Sequence, residues 1–503
     1  MPSSKSLQVK LADDHATGAD AADATAFCVF TDEPRLPVAA HLDEAARRTV
    51  EDLLRDGEFK GEWDDTLVVH TADAATPNPA RRVLLVGLGS HADFTRDALR
   101  RAAGVAVRRA REARVKHLRF MLPDVAGGDA PELACAAAEG AHLGCYENDF
   151  YQQREEGDES TLEYFTIAAA APDDALRDAL ERARVVAEAA NWARALADEP
   201  GASLPPREFA RRAAEMAAEF GLAVETLDAS EIRARGMGGL WGVGQGSDEP
   251  PALIVLRYEP EGASDEDELW AFVGKGITFD TGGISIKPAQ KMEEMKSDMA
   301  GGAAALGALR ACAELKLKRR VVAVVPTAEN MPSGRALKPG DVVRTLAGYT
   351  IEVVDTDAEG RLVLVDGIAY ARSLGAARIV DLATLTGSII VALGDHRTGL
   401  FSNDDEWAAR VETASARAGE PAWRMPVSDD YKKKIESPIA DFKNYGGRPD
   451  ATAAALLLSK FAADTPWVHL DIAATSWHEE AQPHAPAGAT GTGVRTLVEL
   501  VRG

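Results

Sequence analysis

The chain is 503 residues long, 46% hydrophobic and 27% charged, a globular composition that excludes wholesale disorder, a collagen-like fibre and a disulfide-stapled mini-protein. At about 150 residues per domain the length allows two to four domains and a sizeable core. With 56 Lys and Arg against 80 Asp and Glu the net charge is −24, which repels phosphate backbones and anionic membrane surfaces and argues against nucleic acid as a partner.

In chain order, the opening residues MPSSKSLQVKLADDHATG carry no apolar h-region. The longest charge-free apolar stretch, 382–394, falls short of the roughly 20 residues a membrane helix needs. A cytoplasmic protein with no membrane partner is expected. The cysteines, Cys28, Cys135, Cys145 and Cys312, form no C-x-x-C pair and read as reduced thiols. Over the first 170 residues or so, apolar runs (66–70, 82–87, 115–121, 164–169) alternate with amphipathic stretches (42–55, 96–111), the pattern of an α/β domain. Residues 174–197 have helical spacing and stop at Asp198-Glu199-Pro200-Gly201, a helix-ending cluster.

From Pro205 the alternation resumes, with apolar runs at 252–256, 269–273, 321–325, 350–354, 378–382 and 467–472 and helical candidates at 299–315, 362–374 and 451–461. No repeat of the solenoid or propeller kind is visible. The expected fold is α/β with two domains: a smaller amino-terminal domain over 1–172, a connecting helix and linker over 173–204, and a larger catalytic domain over 205–503 with a central mixed sheet flanked by helices. One segment offers a competing function. Gly87-Leu88-Gly89-Ser90-His91-Ala92 mimics G-x-G-x-x-A after a strand, but the acidic residue expected about 20 positions later is missing, so a nucleotide-binding reading is weak.

In open α/β sheets the chemistry gathers at loops leaving the carboxyl ends of strands. Three such loops hold unusual charge: Gly274 to Pro288 with Lys275, Asp280 and Lys287, then Lys296-Ser297-Asp298 ahead of a small-residue helix, then Asp355-Thr356-Asp357-Ala358-Glu359-Gly360-Arg361. Taken singly, an Asp-x-Glu turn is commonly solvated, and an Asp before a helix is commonly a cap. If the loops converge, at least four carboxylates share one cleft, and like charges in low dielectric need compensation. Two divalent cations would neutralise them, activate a water and polarise a carbonyl or phosphoryl oxygen. The lysine and arginine would then steady an oxyanion.

Asp355-Thr356-Asp357-Ala358-Glu359-Gly360-Arg361-Leu362 resembles the signature octapeptide of the leucyl aminopeptidase family, N-T-D-A-E-G-R-L. The agreement extends to VGKGITFDTGGISIKP (273–288), ENMPSGRALKPG (329–340), DLATLTG (381–387), DFKNYGGR (441–448) and AGATGTGVRTL (487–497), in the family's order. The resemblance implies a metal-dependent aminopeptidase releasing leucine and other apolar residues from peptides with a free amino terminus. It implies metal ligands at Lys275, Asp280, Asp298, Asp357 and Glu359, with Asp280 and Glu359 bridging two Mn²⁺ or Zn²⁺ ions per subunit. It further implies catalytic roles for Lys287, which polarises the scissile carbonyl, and for Arg361, which holds a bicarbonate ion as general base. Substrate-binding residues are implied at Met295, Thr384, Leu385 and Gly387, and the assembly is implied to be a homohexamer. Four anionic ligands and a neutral Lys275 would balance two dications, leaving Lys287 and Arg361 as net positive charge. The alternative of a catalytically silent binding scaffold is disfavoured by the unbroken ligand set.

One departure matters: Asp355 stands where the octapeptide has asparagine. The ten histidines contain no H-E-x-x-H, so a helical zinc protease is not indicated, and His396 and His469 read as structural or surface residues.

Overall fold

The computed structural model describes residues 7–13, 22–36, 42, 44–70, 82–153, 162–169 and 173–503; Pro172, the expected end of the first domain, lies outside them. The chain forms two compact units, Met1–Glu188 with Glu479–Ala487, and Ala189–His478 with Gly488–Gly503.

The first unit holds strands β1 (Gln8–Asp13), β2 (Ala24–Val29), β3 (Thr66–His70), β4 (Arg82–Gly87), β5 (His117–Met121) and β6 (Tyr164–Ala169) and helices α1 (Glu44–Arg55), α2 (Arg96–Glu112) and α3 (Ala130–Gly144). The sheet order is β1-β6-β5-β2-β4-β3, parallel except for the antiparallel β3–β4 edge. Helix α4 (Asp174–Asp198) leads out of it. The arginines that give α2 a basic look are spent locally: Arg96 pairs with Glu132, Arg100 with Asp97 and Glu139, Arg101 with Asp64, and Arg111 with Glu147. The glycine motif after β4 is likewise filled by protein. A Cβ on Gly87 would run into the Glu62 carbonyl and one on Gly89 into the Trp63 ring. The amides of Gly87, Leu88 and Gly89 donate to Asp65, Val29 and Gly61 at 2.9 Å each. These glycines let residues 61–65 pack against the turn, and no row of free amides remains there for a phosphate.

The second unit is built on β7 (Ala223–Leu227), β8 (Ala252–Tyr258), β9 (Leu269–Gly274), β10 (Gly276–Asp280), β11 (Arg320–Asn330), β12 (Val342–Arg344), β13 (Thr350–Glu352), β14 (Arg378–Ala383), β15 (Thr398–Ser402), β16 (Ala422–Arg424), β17 (Phe442–Lys443) and β18 (Trp467–Asp471). Its helices are α5 (Pro206–Phe220), α6 (Ala229–Ala234), α7 (Gly238–Gly244), α8 (Ala300–Glu314), α9 (Gly360–Ser373), α10 (Gly387–Leu393), α11 (Asp405–Ala418), α12 (Asp450–Ala462) and α13 (Val494–Arg502). The main sheet is mixed, in the order β16-β15-β18-β14-β9-β11-β8-β7, with β10 also paired to β11. Its centre, β18-β14-β9-β11, is parallel, so four strands release their loops at one edge.

These central strands are near-continuous apolar runs because both faces are covered. Leu269, Ala271 and Val273 share a core with Leu362 and Val363 of α9 and Leu456 and Leu457 of α12. The alternate residue Trp270 meets Trp407 of α11 edge-on at 4.9 Å, as the period of two requires. Helix α8 approaches the sheet through glycine. A Cβ on Gly301 would collide with the Leu382 carbonyl oxygen, and one on Gly302 would lie 2.6 Å from Val325 Cγ1. Gly301→Ala is therefore expected to destabilise by about 1–3 kcal/mol or more through overpacking, read as a fall in melting temperature of several degrees by differential scanning fluorimetry. An unchanged melting temperature would show that α8 can shift at little cost.

Candidate metal centre and active site

Three of the four acidic groups of the site come from a strand's carboxyl end or from the approach to a helix. Asp280 closes β10, aligned with Asn330 of β11. Asp298 precedes α8 and Glu359 caps α9, where the partial positive charge of a helix amino terminus favours carboxylates. Asp357 lies two residues earlier, in the loop that follows β13. Oxygens of Asp280, Asp357 and Glu359 all lie within 4.8 Å of one another. Lys275 Nζ stands 2.8 Å from Asp298 Oδ2 and 2.7 Å from Glu359 Oε1. Lys287 Nζ stands 2.8 Å from Asp280 Oδ2 and 2.6 Å from Asp357 Oδ1. The structure thus brings Lys275, Asp280, Lys287, Asp298, Asp357 and Glu359 into one cluster.

Burial governs the electrostatics. Lys275, Asp280, Asp298 and Glu359 are all buried, and the Asp357 side chain keeps 34% of its surface exposed. Burial pushes the Asp298 and Glu359 carboxyls up, with Asp280 adding repulsion and Lys275 opposing it. Asp357 is also raised, by burial and then by Asp280. For Lys275 and Lys287 burial alone would lower the ammonium, but the surrounding carboxylates outweigh it and hold both well above the ordinary lysine value. Four carboxylates against two ammonium groups still leave two negative charges in a largely dry site. Asp298 Oδ2, Asp357 Oδ1 and Glu359 Oε1 are buried, and each faces a lysine ammonium, at 2.8, 2.6 and 2.7 Å respectively. Uncompensated negative charge on a crowded set of carboxylate oxygens is what a divalent cation satisfies, so these residues fit an oxygen-ligated metal centre.

Glycine makes the crowding possible. At Gly282, with φ of +85°, a Cβ would lie 2.7 Å from Asp357 Oδ1. At Gly360 it would lie 2.8 Å from Lys275 Nζ. Arg361 follows Gly360 at the start of α9 and is buried; one guanidinium nitrogen donates to the Asn444 carbonyl at 2.7 Å and to Asp450 Oδ1 at 3.0 Å. That pairing corrects the charge balance expected from sequence, in which Arg361 and Lys287 both stood as free positive charge. Asp450 compensates Arg361, whose buried Nε has no hydrogen-bond partner among the described residues.

Three of the four expected substrate-binding residues follow β14, and the fourth, Met295, lies elsewhere. Thr384 donates its hydroxyl to Asp298 Oδ1 at 2.6 Å, and its carbonyl accepts from Lys275 Nζ at 3.1 Å. Leu385 follows, and Gly387 opens α10 with free space where a Cβ would be. Met295 sits half-buried in the helical turn Met292–Ser297, and its carbonyl accepts the Asp298 amide at 3.3 Å. His396 is 89% exposed at its side chain. His469 is buried in β18 with Nδ1 2.6 Å from Asp381 Oδ1, and neither histidine joins the cluster.

Two contributors escape sequence reasoning. Asn330 donates to Asp280 Oδ1 at 2.8 Å and to the Thr356 carbonyl at 3.0 Å. Asp471, buried at the end of β18, accepts from the Leu385 amide at 3.2 Å and the Thr386 hydroxyl at 2.7 Å. Asn330 lies inside one of the blocks that carry the resemblance and could have been suspected; Asp471 carries no local signal.

What the fold and the cluster define is an α/β protein with a carboxylate-rich metal centre at the carboxyl edge of its sheet. Comparison with known proteins gives it a family. A profile described as "Cytosol aminopeptidase family, catalytic domain" matches residues 191–498, and the family's N-terminal domain profile matches 26–155. A probable cytosol aminopeptidase of Acidobacterium capsulatum is 46% identical over 463 residues, covering 92% of this chain and 90% of the relative. One from Solibacter usitatus is 48% identical over 456 residues, covering 90% and 93%. Among solved structures, the bottromycin maturation enzyme BotP superposes with a TM-score of 0.83 at 37% identity over 96% of this chain and 99% of its own, and it has also been solved in complex with Mn. A mutant of tomato leucine aminopeptidase gives a TM-score of 0.88 at 30% identity over 100% and 97%. The chain belongs to the cytosol aminopeptidase family and is a metal-dependent aminopeptidase, a hydrolase.

Asp355, the departure from the octapeptide, accepts the Asp357 amide on Oδ1 at 3.0 Å, a bond the oxygen of an asparagine carboxamide makes equally well. Asp355→Asn is expected to change metal-supported turnover of leucine p-nitroanilide by less than about tenfold, or about 1.4 kcal/mol. A gain of several orders of magnitude would mean that the native acid impairs the site.

Proposed function

We propose that the protein releases single amino-terminal residues, leucine and other apolar ones first, from peptides with a free α-amine, using two divalent ions, Mn²⁺ or Zn²⁺, per subunit. The observation that carries this reading is the meeting of Asp280, Asp357 and Glu359 oxygens within 4.8 Å, with Asp298 and two lysines alongside. Lys275, Asp280, Asp298, Asp357 and Glu359 would hold the ions. Bound there, divalent ions supply Lewis acidity toward the scissile carbonyl and lower the pKa of the attacking water.

The remaining roles fall to this chain's own residues. Lys287, held between Asp280 and Asp357, presents an ammonium to the oxyanion that develops as the carbonyl becomes tetrahedral. Arg361, fixed through one nitrogen and free at Nε, would hold a bicarbonate ion, which supplies a base for the attacking water. Met295 and the Thr384–Gly387 loop receive the side chain of the departing residue. An apolar pocket discriminates by only about 1–3 kcal/mol per methylene, so broad apolar preference is expected. We assign all of this chemistry to residues 205–503, and we further propose a cytoplasmic homohexamer.

Chelation is expected to abolish hydrolysis of leucine p-nitroanilide and Mn²⁺ or Zn²⁺ to restore it, while the N-acetylated substrate stays intact at either stage. Glu359→Ala should lower kcat by at least about a hundredfold, as loss of a buried metal ligand implies. Hydrolysis that survives chelation, or equal cleavage of the blocked substrate, would overturn the reading.

A further inference from the structure

Asn444 lies outside the acid cluster. It follows β17, which pairs in parallel with β13 through Ile351–Phe442 and Glu352–Lys443. Its amide donates to the Glu352 carbonyl at 3.0 Å, so the ladder runs one residue further and turns the side chain inward, where it is 1% exposed. There Oδ1 accepts from the amides of Val354 at 2.8 Å and Asp355 at 3.3 Å. Nδ2 donates to the carbonyls of Asp355 at 2.5 Å and Ala358 at 3.2 Å. A carboxamide offers two donors and an oxygen with two lone pairs, and all four are spent on the backbone of one five-residue stretch. The Asn444 carbonyl also receives Arg361 at 2.7 Å.

That stretch, 354–358, carries Asp357 within it and leads directly into Glu359 and Arg361. Being neither helix nor strand, it has no ladder to fix it, and its buried polar groups need partners from elsewhere. We propose that Asn444 is a positioning residue for hydrolysis, its carboxamide setting the conformation of the 354–358 backbone and through it the placement of Asp357, Glu359 and Arg361. This rests on the two-metal reading above. The chemistry is specific to asparagine: aspartate keeps the acceptor but turns an oxygen toward the Asp355 and Ala358 carbonyls, glutamine is one methylene too long, and serine lacks the reach. The substrate wall at Thr384–Gly387 is anchored separately, by Asp471, so the loss of Asn444 should act on the metal ligands and spare substrate contacts.

The test compares the full-length wild type with Asn444→Ala and with the near-isosteric Asn444→Asp. Mn²⁺ affinity is measured by equilibrium dialysis, kcat and KM for leucine p-nitroanilide at saturating Mn²⁺, and folding by melting temperature. Both variants are expected to bind Mn²⁺ about 10–100-fold more weakly, the range typical of groups that orient metal ligands. At saturating Mn²⁺ kcat should fall at least about tenfold with KM within about twofold. Folded variants that bind Mn²⁺ and turn over as the wild type does would overturn the proposal, as would a rise in KM at unchanged kcat. Failure of both variants to fold would also overturn it, by reducing Asn444 to a scaffold residue. If the wild type itself neither binds Mn²⁺ nor hydrolyses the substrate, the metal reading falls and this assignment with it; if the wild type does both, only the Asn444 assignment is at stake.

Discussion

The structure turns on one electrostatic constraint: Asp280, Asp298, Asp357 and Glu359 are gathered at a site where three of the four are almost wholly removed from water. Like charges so placed repel strongly and lose hydration, each effect worth several kcal/mol. Lys275 and Lys287 meet that demand in part, each lying within 2.8 Å of two carboxylates. Both lysines come from one short segment at the β9–β10 junction and the turn after it, which also carries Asp280, whereas the other three acids come from two further segments. A single local piece of chain therefore supplies both cations and one acid, and the remaining carboxylates assemble around it. The charge it leaves uncompensated is what makes the site a metal centre.

Holding that arrangement depends on making loops behave like regular structure. The carboxyl ends of β9, β10, β11, β14 and β18 are fixed by the sheet, and buried side chains tie the loops beyond them back to the site. Asn330 ties Asp280 to the Thr356 carbonyl, and Asp471 ties the Leu385–Thr386 turn. Thr384 then joins the two halves of the site: its hydroxyl reaches Asp298 and its carbonyl reaches Lys275. The wall expected to receive the substrate side chain and two of the expected metal ligands are in this way hydrogen-bonded to one another, while Asp471 holds the wall in place independently.

How much of this could be read from sequence depends on how local each feature is. Asp355 to Leu362 and Val273 to Pro288 are legible because the acids, the lysines and the glycines that permit close approach sit within a few residues of one another. Strands β9 and β11 are legible as apolar runs because both faces are covered. The Arg361–Asp450 pair is not legible: its partners are 89 residues apart, and nothing near Asp450 marks it as a counter-ion. Asp471 reads simply as the last residue of a strand. The glycine pair after β4 misleads in the other direction, since close packing against Glu62 and Trp63 selects glycine for the same steric reason a phosphate would.

Lys275 shows why a metal-centre residue can also be an element of the fold. Its amide donates to the Leu382 carbonyl at 3.0 Å and its carbonyl accepts from Gly302 at 2.8 Å, so its backbone fastens β9 to β14 and to the start of α8 before its side chain does anything. The ammonium then offsets part of the charge on Asp298 and Glu359, whose burial would otherwise be opposed by their mutual repulsion. A buried ion pair adds little net stability over an apolar substitute, but removing one partner costs about 3–5 kcal/mol because the other is left charged and dry. An uncharged side chain of the same length at this position would leave two buried acids without a cation in any protein not already loaded with metal. The lysine lets the acid cluster close on its own, and it does so at the atom where the family resemblance expects a ligand.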